Sequence, residues 1–139
     1  MALEQTFAII KPDAVQAGHV GEILSAIERE DFRIRGLRAA RLHEGLVEGF
    51  YMEHLQKPFF PELKAFMTEG PVILMVLEAE DAIRRWRDLM GATDSSKAAP
   101  GTLRSRFGHG ITRNAVHGSD APASAEREIR YFFSAFDLV

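Results

Sequence analysis

GPVILMVLE, Gly70 to Glu78, is a continuous apolar run opened by a Gly-Pro pair and closed by acidic residues. Such a run reads as a core strand buried on both faces, and the rest of the chain can be arranged around it. TFAIIK, Thr6 to Lys11, is a second β-branched and aromatic run. Pro12 closes it, because the residue before a proline avoids helix, so a central strand is expected to end at Lys11. FRIRGLRAARL, Phe32 to Leu42, alternates, with Phe32, Ile34, Ala40 and Leu42 on one parity and Arg33, Arg35 and Arg41 on the other. That pattern predicts a strand with one wetter face. A short AVH segment, Ala115 to His117, supplies the fourth.

Helical spacing fills the intervals between these strands. Val20, Ile23, Leu24 and Ile27 mark one amphipathic helix. Ala82, Ile83, Trp86, Leu89 and Met90 mark another, and Ala125, Ile129, Phe132 and Phe133 a third. Each set places its apolar side chains on one face. Val47, Phe50, Tyr51 and His54 share helical spacing ahead of KPFFPELKAFM, where Pro58 and Pro61 bracket two phenylalanines and stiffen a corner before a further short helix. The order is β-α-β-α-β-α-β with an additional helical hairpin before the third main strand. It predicts an α+β sandwich with helices over one sheet.

The chain has 139 residues, 46% of them hydrophobic, which suits one domain spanning residues 1–139 with a sizeable core. A net charge of −3 offers no general attraction to nucleic acid or to an anionic membrane, so any anion site must be local. The absence of cysteine excludes disulfides, thiolate metal sites and a cysteine nucleophile. MALEQTFAIIKPD lacks a basic start followed by a long apolar run, so the chain reads as soluble and cytoplasmic, with no membrane partner.

The chemistry gathers in the last third. GATDSSKAAPGTLRSRFGHGITR has no long periodic segment, and a loop of this length inside a compact domain is usually functional or disordered. NAVHGSD, Asn114 to Asp120, follows it and sets His117 between a short apolar run and small polar residues. A neutral imidazole can serve as base, ligand or nucleophile. Lys11, Arg87 and Arg104 could form a cationic patch for a polyanion, and Thr93 and Asn114 stand in or after the loop. Neither a G-x-x-x-x-G-K-[ST] phosphate loop nor a G-x-G-x-x-G turn is present, so a nucleotide site must be of another kind. The five histidines show no H-x-x-x-H pair, which argues against a metal-dependent hydrolase.

IIKPDAV, FYMEHLQKPFFPEL, GPVILMVLE, RDLMGAT, APGTLRSRFG and NAVHGSD occur in an order that resembles the nucleoside diphosphate kinase family, over nearly the whole chain. The resemblance implies a ferredoxin-like α/β sandwich with a four-stranded antiparallel sheet covered by helices. It implies transfer of the γ-phosphate of a nucleoside triphosphate to a nucleoside diphosphate by a ping-pong route through a phosphohistidine on His117. Ser119 and Glu128 match the residues that orient that imidazole, and Gly118 is expected to leave space beside the ring. Lys11, Arg87, Thr93 and Arg104 match phosphate-binding positions, and Tyr51 the tyrosine beside the γ-phosphate. Lys11 and Asn114 match contacts to the ribose hydroxyls. Phe59 matches the phenylalanine that stacks on the base, with Ile111 opposite, which implies broad base specificity. Mg²⁺ is expected to arrive on the nucleotide phosphates, with no protein ligand set of its own. The resemblance further implies a homo-oligomer built from dimers, hexameric or tetrameric. In the long loop Asp94 and Ser95 replace the Asn-Pro frequent in the family, which bears on loop stiffness and assembly.

The alternative function is a nucleic-acid-binding ferredoxin-like domain, since such sheets can present aromatic side chains to bases. The acidic balance, the buried character of the strands and the confinement of Phe59 and Phe60 to a proline-bounded corner argue against it.

Overall fold

The computed structural model describes residues 2–139. Four strands, β1 (Leu3–Ile10), β2 (Arg33–Ala40), β3 (Val72–Glu80) and β4 (Val116–Gly118), form one sheet in the order β2-β3-β1-β4. Every neighbouring pair is antiparallel, which is the expected ferredoxin-like arrangement. The helices are α1 (Pro12–Gln16), α2 (Val20–Arg29), α3 (Glu44–Phe50), α4 (Phe60–Met67), α5 (Ala82–Met90), α6 (Leu103–Phe107) and α7 (Pro122–Phe132).

The two central strands carry apolar residues on both parities because both faces of the sheet are covered. Ala8 and Ile10 of β1 and Met75, Leu77 and Ala79 of β3 face α2, α5 and α6. Phe7, Ile9, Val72, Leu74 and Val76 face α3, α4 and α7. The run read as a strand buried on both faces is therefore that: Val72 and Leu74 through Ala79 are all buried.

β2 departs from its expected parity. Its register against β3 shifts between Ile34 and Gly36, leaving Arg35 as a bulge. One inserted residue exchanges the faces of everything beyond it. Phe32 and Ile34 consequently join the α2–α5 side, whereas Ala40 and Leu42 join the α3–α4 side. Arg35 itself turns to Glu78, at 2.7 Å.

Lys11 does not end β1 but sits just beyond it, at the N-cap of α1, with Pro12 in the first helical turn. Five residues are too few for a periodic signal, yet proline is well suited to that position because its missing N–H would be unpaired there anyway. The long loop is ordered by short-range bonds. Ser95 is buried and both its N–H and its Oγ donate to the Gly110 carbonyl, at 3.0 and 2.9 Å. Asp94 accepts from the Ser96 N–H at 3.0 Å and caps a 3-10 turn, Ser95–Lys97. The two residues that replace Asn-Pro thus fix the loop by hydrogen bonding where a proline would restrict the chain itself. Among the described residues no helix is long and apolar enough to cross a membrane.

Candidate active site

A cleft of about 610 Å³ opens between the α3–α4 hairpin and the segment running from the end of α5 to β4. His117 lies in β4, paired with Ile9 of the central strand, so its backbone position is set by the sheet. Two residues earlier, Ala115 takes a left-handed conformation, φ +73°. The Asp13 carboxylate accepts from the Ala115 N–H at 3.1 Å, and the Ala115 carbonyl accepts from the Lys11 N–H at 2.8 Å. A buried alanine in that conformation is costly, and these bonds hold it there.

The imidazole is held from below. Its Nε2 is 3.0 Å from Glu128 Oε1, and the same oxygen accepts from Ser119 Oγ at 2.9 Å. A carboxylate can only accept, so Nε2 carries the proton and Nδ1 keeps its lone pair. The rings of Phe50, Tyr51 and Phe7 stand 5.4, 6.2 and 6.2 Å from the imidazole. Burial among them is the main reason that His117 is pushed below the ordinary imidazole range; Glu128 works against this, and the Lys11 and Arg104 charges add to it. The ring is therefore neutral at physiological pH, and Nδ1 is available as a nucleophile.

Cations line the opposite wall. Burial and, after it, the Arg104 charge lower Lys11 to about 7, with Asp13 working against both. Its Nζ donates to Asn114 Oδ1 at 2.8 Å, and Asn114 Nδ2 donates in turn to the Thr93 carbonyl at 2.9 Å, tying Lys11 to the loop. Arg104 donates to the Gly91 carbonyl at 3.0 Å and to the Val116 carbonyl at 2.9 Å, which braces the loop against the residue preceding His117. Burial and the neighbouring Arg87 bring Arg104 down to about 10. Clustered, desolvated cations of this kind favour a polyanion that would relieve their mutual repulsion.

Lys11, Tyr51, Phe59, Arg87, Thr93, Arg104, Ile111, Asn114, His117 and Glu128 all line the cleft. Ser119 does not: it is fully buried, accepts from the Phe7 N–H at 3.3 Å, and reaches the site only through Glu128. Phe59 and Ile111 are 47% and 63% exposed, a large exposure for apolar side chains, and they form the cleft mouth. Gly118, expected to leave space beside the imidazole, lines the same cleft and also makes room for α5. A Cβ there would come within 2.4 Å of the Trp86 ring and 2.7 Å of the Met90 methyl, so the glycine admits α5, and Trp86 Nε1 donates to the His117 carbonyl at 3.2 Å. The cleft also includes Phe50, Glu53, His54, Asp120 and Arg127, none of which the sequence marked as a site residue. His54, read as one residue of an amphipathic helix, has a buried Nδ1 without a protein partner and a ring 5.5 Å from Phe59. Its helical spacing with Phe50 was the available signal.

An antiparallel α/β sandwich whose cleft sets desolvated cations opposite a neutral, carboxylate-held imidazole is the build of a phosphotransferase for polyanionic substrates. The chain belongs to the nucleoside diphosphate kinase family: residues 4–138 match the family model described as nucleoside diphosphate kinase. A relative from Syntrophotalea carbinolica, named nucleoside diphosphate kinase, is 56% identical over 137 residues, covering 99% of this chain and all of the relative. The nucleoside diphosphate kinase of Aquifex aeolicus superposes with a TM-score of 0.97 at 44% identity, covering 99% of this chain and 100% of that one. A halophilic nucleoside diphosphate kinase from Halobacterium salinarum, solved in complex with CDP, gives 0.96 at 44% identity, covering 99% of this chain and 92% of that one. The chain is a nucleoside diphosphate kinase in activity as well as in fold.

Proposed function

We propose that residues 1–139 act as one catalytic domain in which His117 Nδ1 carries the phosphate between two nucleotides. The observation behind this reading is the 3.0 Å bond from Nε2 to Glu128, which commits the ring proton to the far side and leaves the Nδ1 lone pair in the cationic cleft. Nδ1 attacks the γ-phosphorus of a triphosphate, the bond to the bridging oxygen breaks, and the diphosphate leaves with that electron pair. The terminal oxygen of a second diphosphate then attacks the phosphorus, and the pair of the N–P bond returns to Nδ1. Glu128 supports the positive charge on the phosphorylated ring, with Ser119 fixing the carboxylate. Lys11, Arg87, Thr93 and Arg104 hold the phosphates in line, which is most of what a protein can contribute to this reaction. Tyr51, with its buried and unpartnered hydroxyl, stands beside the transferring group.

Lys11 and Asn114 take the ribose hydroxyls, while Phe59 and Ile111 clamp the base. Contact through faces and edges of the sugar and phosphates leaves purines and pyrimidines equally acceptable. Among the described residues no cluster of three or more histidine or acidic side chains could hold a metal. Mg²⁺ would come with the nucleotide substrate, where it would neutralise part of the phosphate charge. The setting is cytoplasmic. We further propose a homo-oligomer of dimers, hexameric ahead of tetrameric, since Ala99, Pro100 and Gly101 project from the long loop into solvent in the single chain. Light scattering that returned an active monomer would overturn this part.

Incubation with γ-labelled ATP, followed by denaturation, tests the central step. The expected result is an acid-labile phosphoenzyme that a native parallel sample discharges on adding any diphosphate. His117→Ala should remain folded and form none; a transfer-competent phosphoenzyme in that variant would refute the assignment.

A further inference from the structure

The two lips of the cleft belong to separate parts of the fold. Phe59 is the N-cap residue of α4, in the hairpin, whereas Ile111 and Thr112 sit on the segment between α6 and β4. Hairpin and segment meet at one polar contact. Arg113, directly beyond Thr112, forks onto Glu69 at the end of α4: Nη2 donates to Oε1 at 2.8 Å and to Oε2 at 2.9 Å, and Nη1 to Oε2 at 3.1 Å. Among the described residues these are the only hydrogen bonds or ion pairs recorded between residues 41–69 and residues 108–115.

The guanidinium also lies over the Phe66 ring, 4.8 Å from its centroid. Phe66 is buried in the core beneath α4, so the stack references Arg113 to a fixed part of the hairpin. At the other end the Arg113 carbonyl accepts from the His109 N–H at 2.7 Å, closing the tip of the segment into a small ring that contains Ile111. A planar fork, a stacked face and a closed backbone ring together fix one lip relative to the other.

We propose that the Arg113–Glu69 pair is a latch that sets the separation of Phe59 and Ile111, and with it the grip on the nucleotide base. The inference rests on the base-clamp reading of those two residues. Neither latch residue lines the cleft, so both are positioning residues and act on nucleotide binding through the lips they hold. Side-chain exposures of 48% and 31% place the pair half in water, where such contacts have modest strength. Release of the latch is therefore worth a change of about fivefold in KM, with kcat preserved because His117, Glu128 and the cations stay in place.

The test is a double-mutant cycle with Arg113→Gln, Glu69→Gln and the double variant, read as KM and kcat for several diphosphate acceptors, with Phe59→Ala alongside. Each single variant should raise KM about fivefold for purines and pyrimidines alike, leave kcat within about twofold, and be no better than the double variant. Arg113→Lys, which keeps charge but loses the fork, should recover only part of the loss. If Glu69→Gln is silent while Arg113→Gln raises KM, Arg113 acts on the phosphates directly and the latch is wrong. If Phe59→Ala raises KM and both latch variants are silent, the clamp stands and the latch falls. If Phe59→Ala is itself silent, the clamp reading fails and takes the latch with it.

Discussion

Glu128 places its Oε1 3.0 Å from His117 Nε2, and this one contact assigns the ring nitrogens their different tasks. Glu128→Gln keeps the size of the side chain but removes its charge, and an amide can present a donor where only an acceptor served. We expect kcat to fall on the order of 10²-fold with the fold retained. The pH profile supplies a sign. Glu128 raises the His117 pKa against burial, so its loss should move the acid limb of the activity profile to lower pH. An acid limb that moves upward would contradict the assigned contact.

Gly118→Ala should damage stability and catalysis together. The added Cβ meets Trp86 at 2.4 Å, and that ring is fully buried, so the strand or the helix must shift. Overpacking of this kind costs about 1–3 kcal/mol. The shift also displaces the residue next to the nucleophile. Thermal unfolding and kcat should both fall, and an unchanged Tm would show that α5 is looser than its packing indicates.

Phe59→Ala should separate binding from stability. The ring is 47% exposed, so its removal costs the fold little. Stacking on a base is worth about 1–3 kcal/mol, which predicts a roughly tenfold or greater rise in KM for every nucleotide and an unaltered melting temperature. A rise confined to one base would refute the broad specificity that stacking implies.

The strands with uninterrupted or β-branched composition were legible because burial on both faces leaves a mark that no loop can imitate, as in Val72 to Leu77. β2 was legible as an element and misleading in its faces, since the bulge at Arg35 is a property of pairing with β3 and not of local composition. Lys11 stands far in sequence from Arg104 and Asn114, and only the fold brings it to the same wall. Their motifs identified them where spacing could not. Ser119, expected with Glu128 to orient the imidazole, is linked to it through Glu128, since its hydroxyl accepts from the Phe7 N–H and donates to that carboxylate. His54, whose spacing reads only as an amphipathic helix, and Arg127 carry no site signal in the sequence for a related reason: a helical residue beside a cleft and one beside solvent have the same periodicity.

Lys11 offers a measurement of the site's electrostatics that does not depend on turnover. Burial and the Arg104 charge bring its pKa from 10.5 to about 7, so the free protein holds much of this lysine neutral in mildly alkaline solution. The folded chain then binds fewer protons than the unfolded chain between those two values, and stability should rise with pH across that window. A nucleoside diphosphate reverses the balance, because its phosphates favour the charged ammonium. Binding near pH ~8, where the nucleotide's own phosphates are already ionised, should therefore draw a proton from solution. Calorimetric titration with ADP in buffers of different ionisation enthalpy reads that uptake as a slope approaching one proton per site. Lys11→Met should bind more weakly and lose the slope. Buffer-independent enthalpies for the unaltered protein would mean that Lys11 is charged before nucleotide arrives, and that the cationic wall is better solvated than its burial implies.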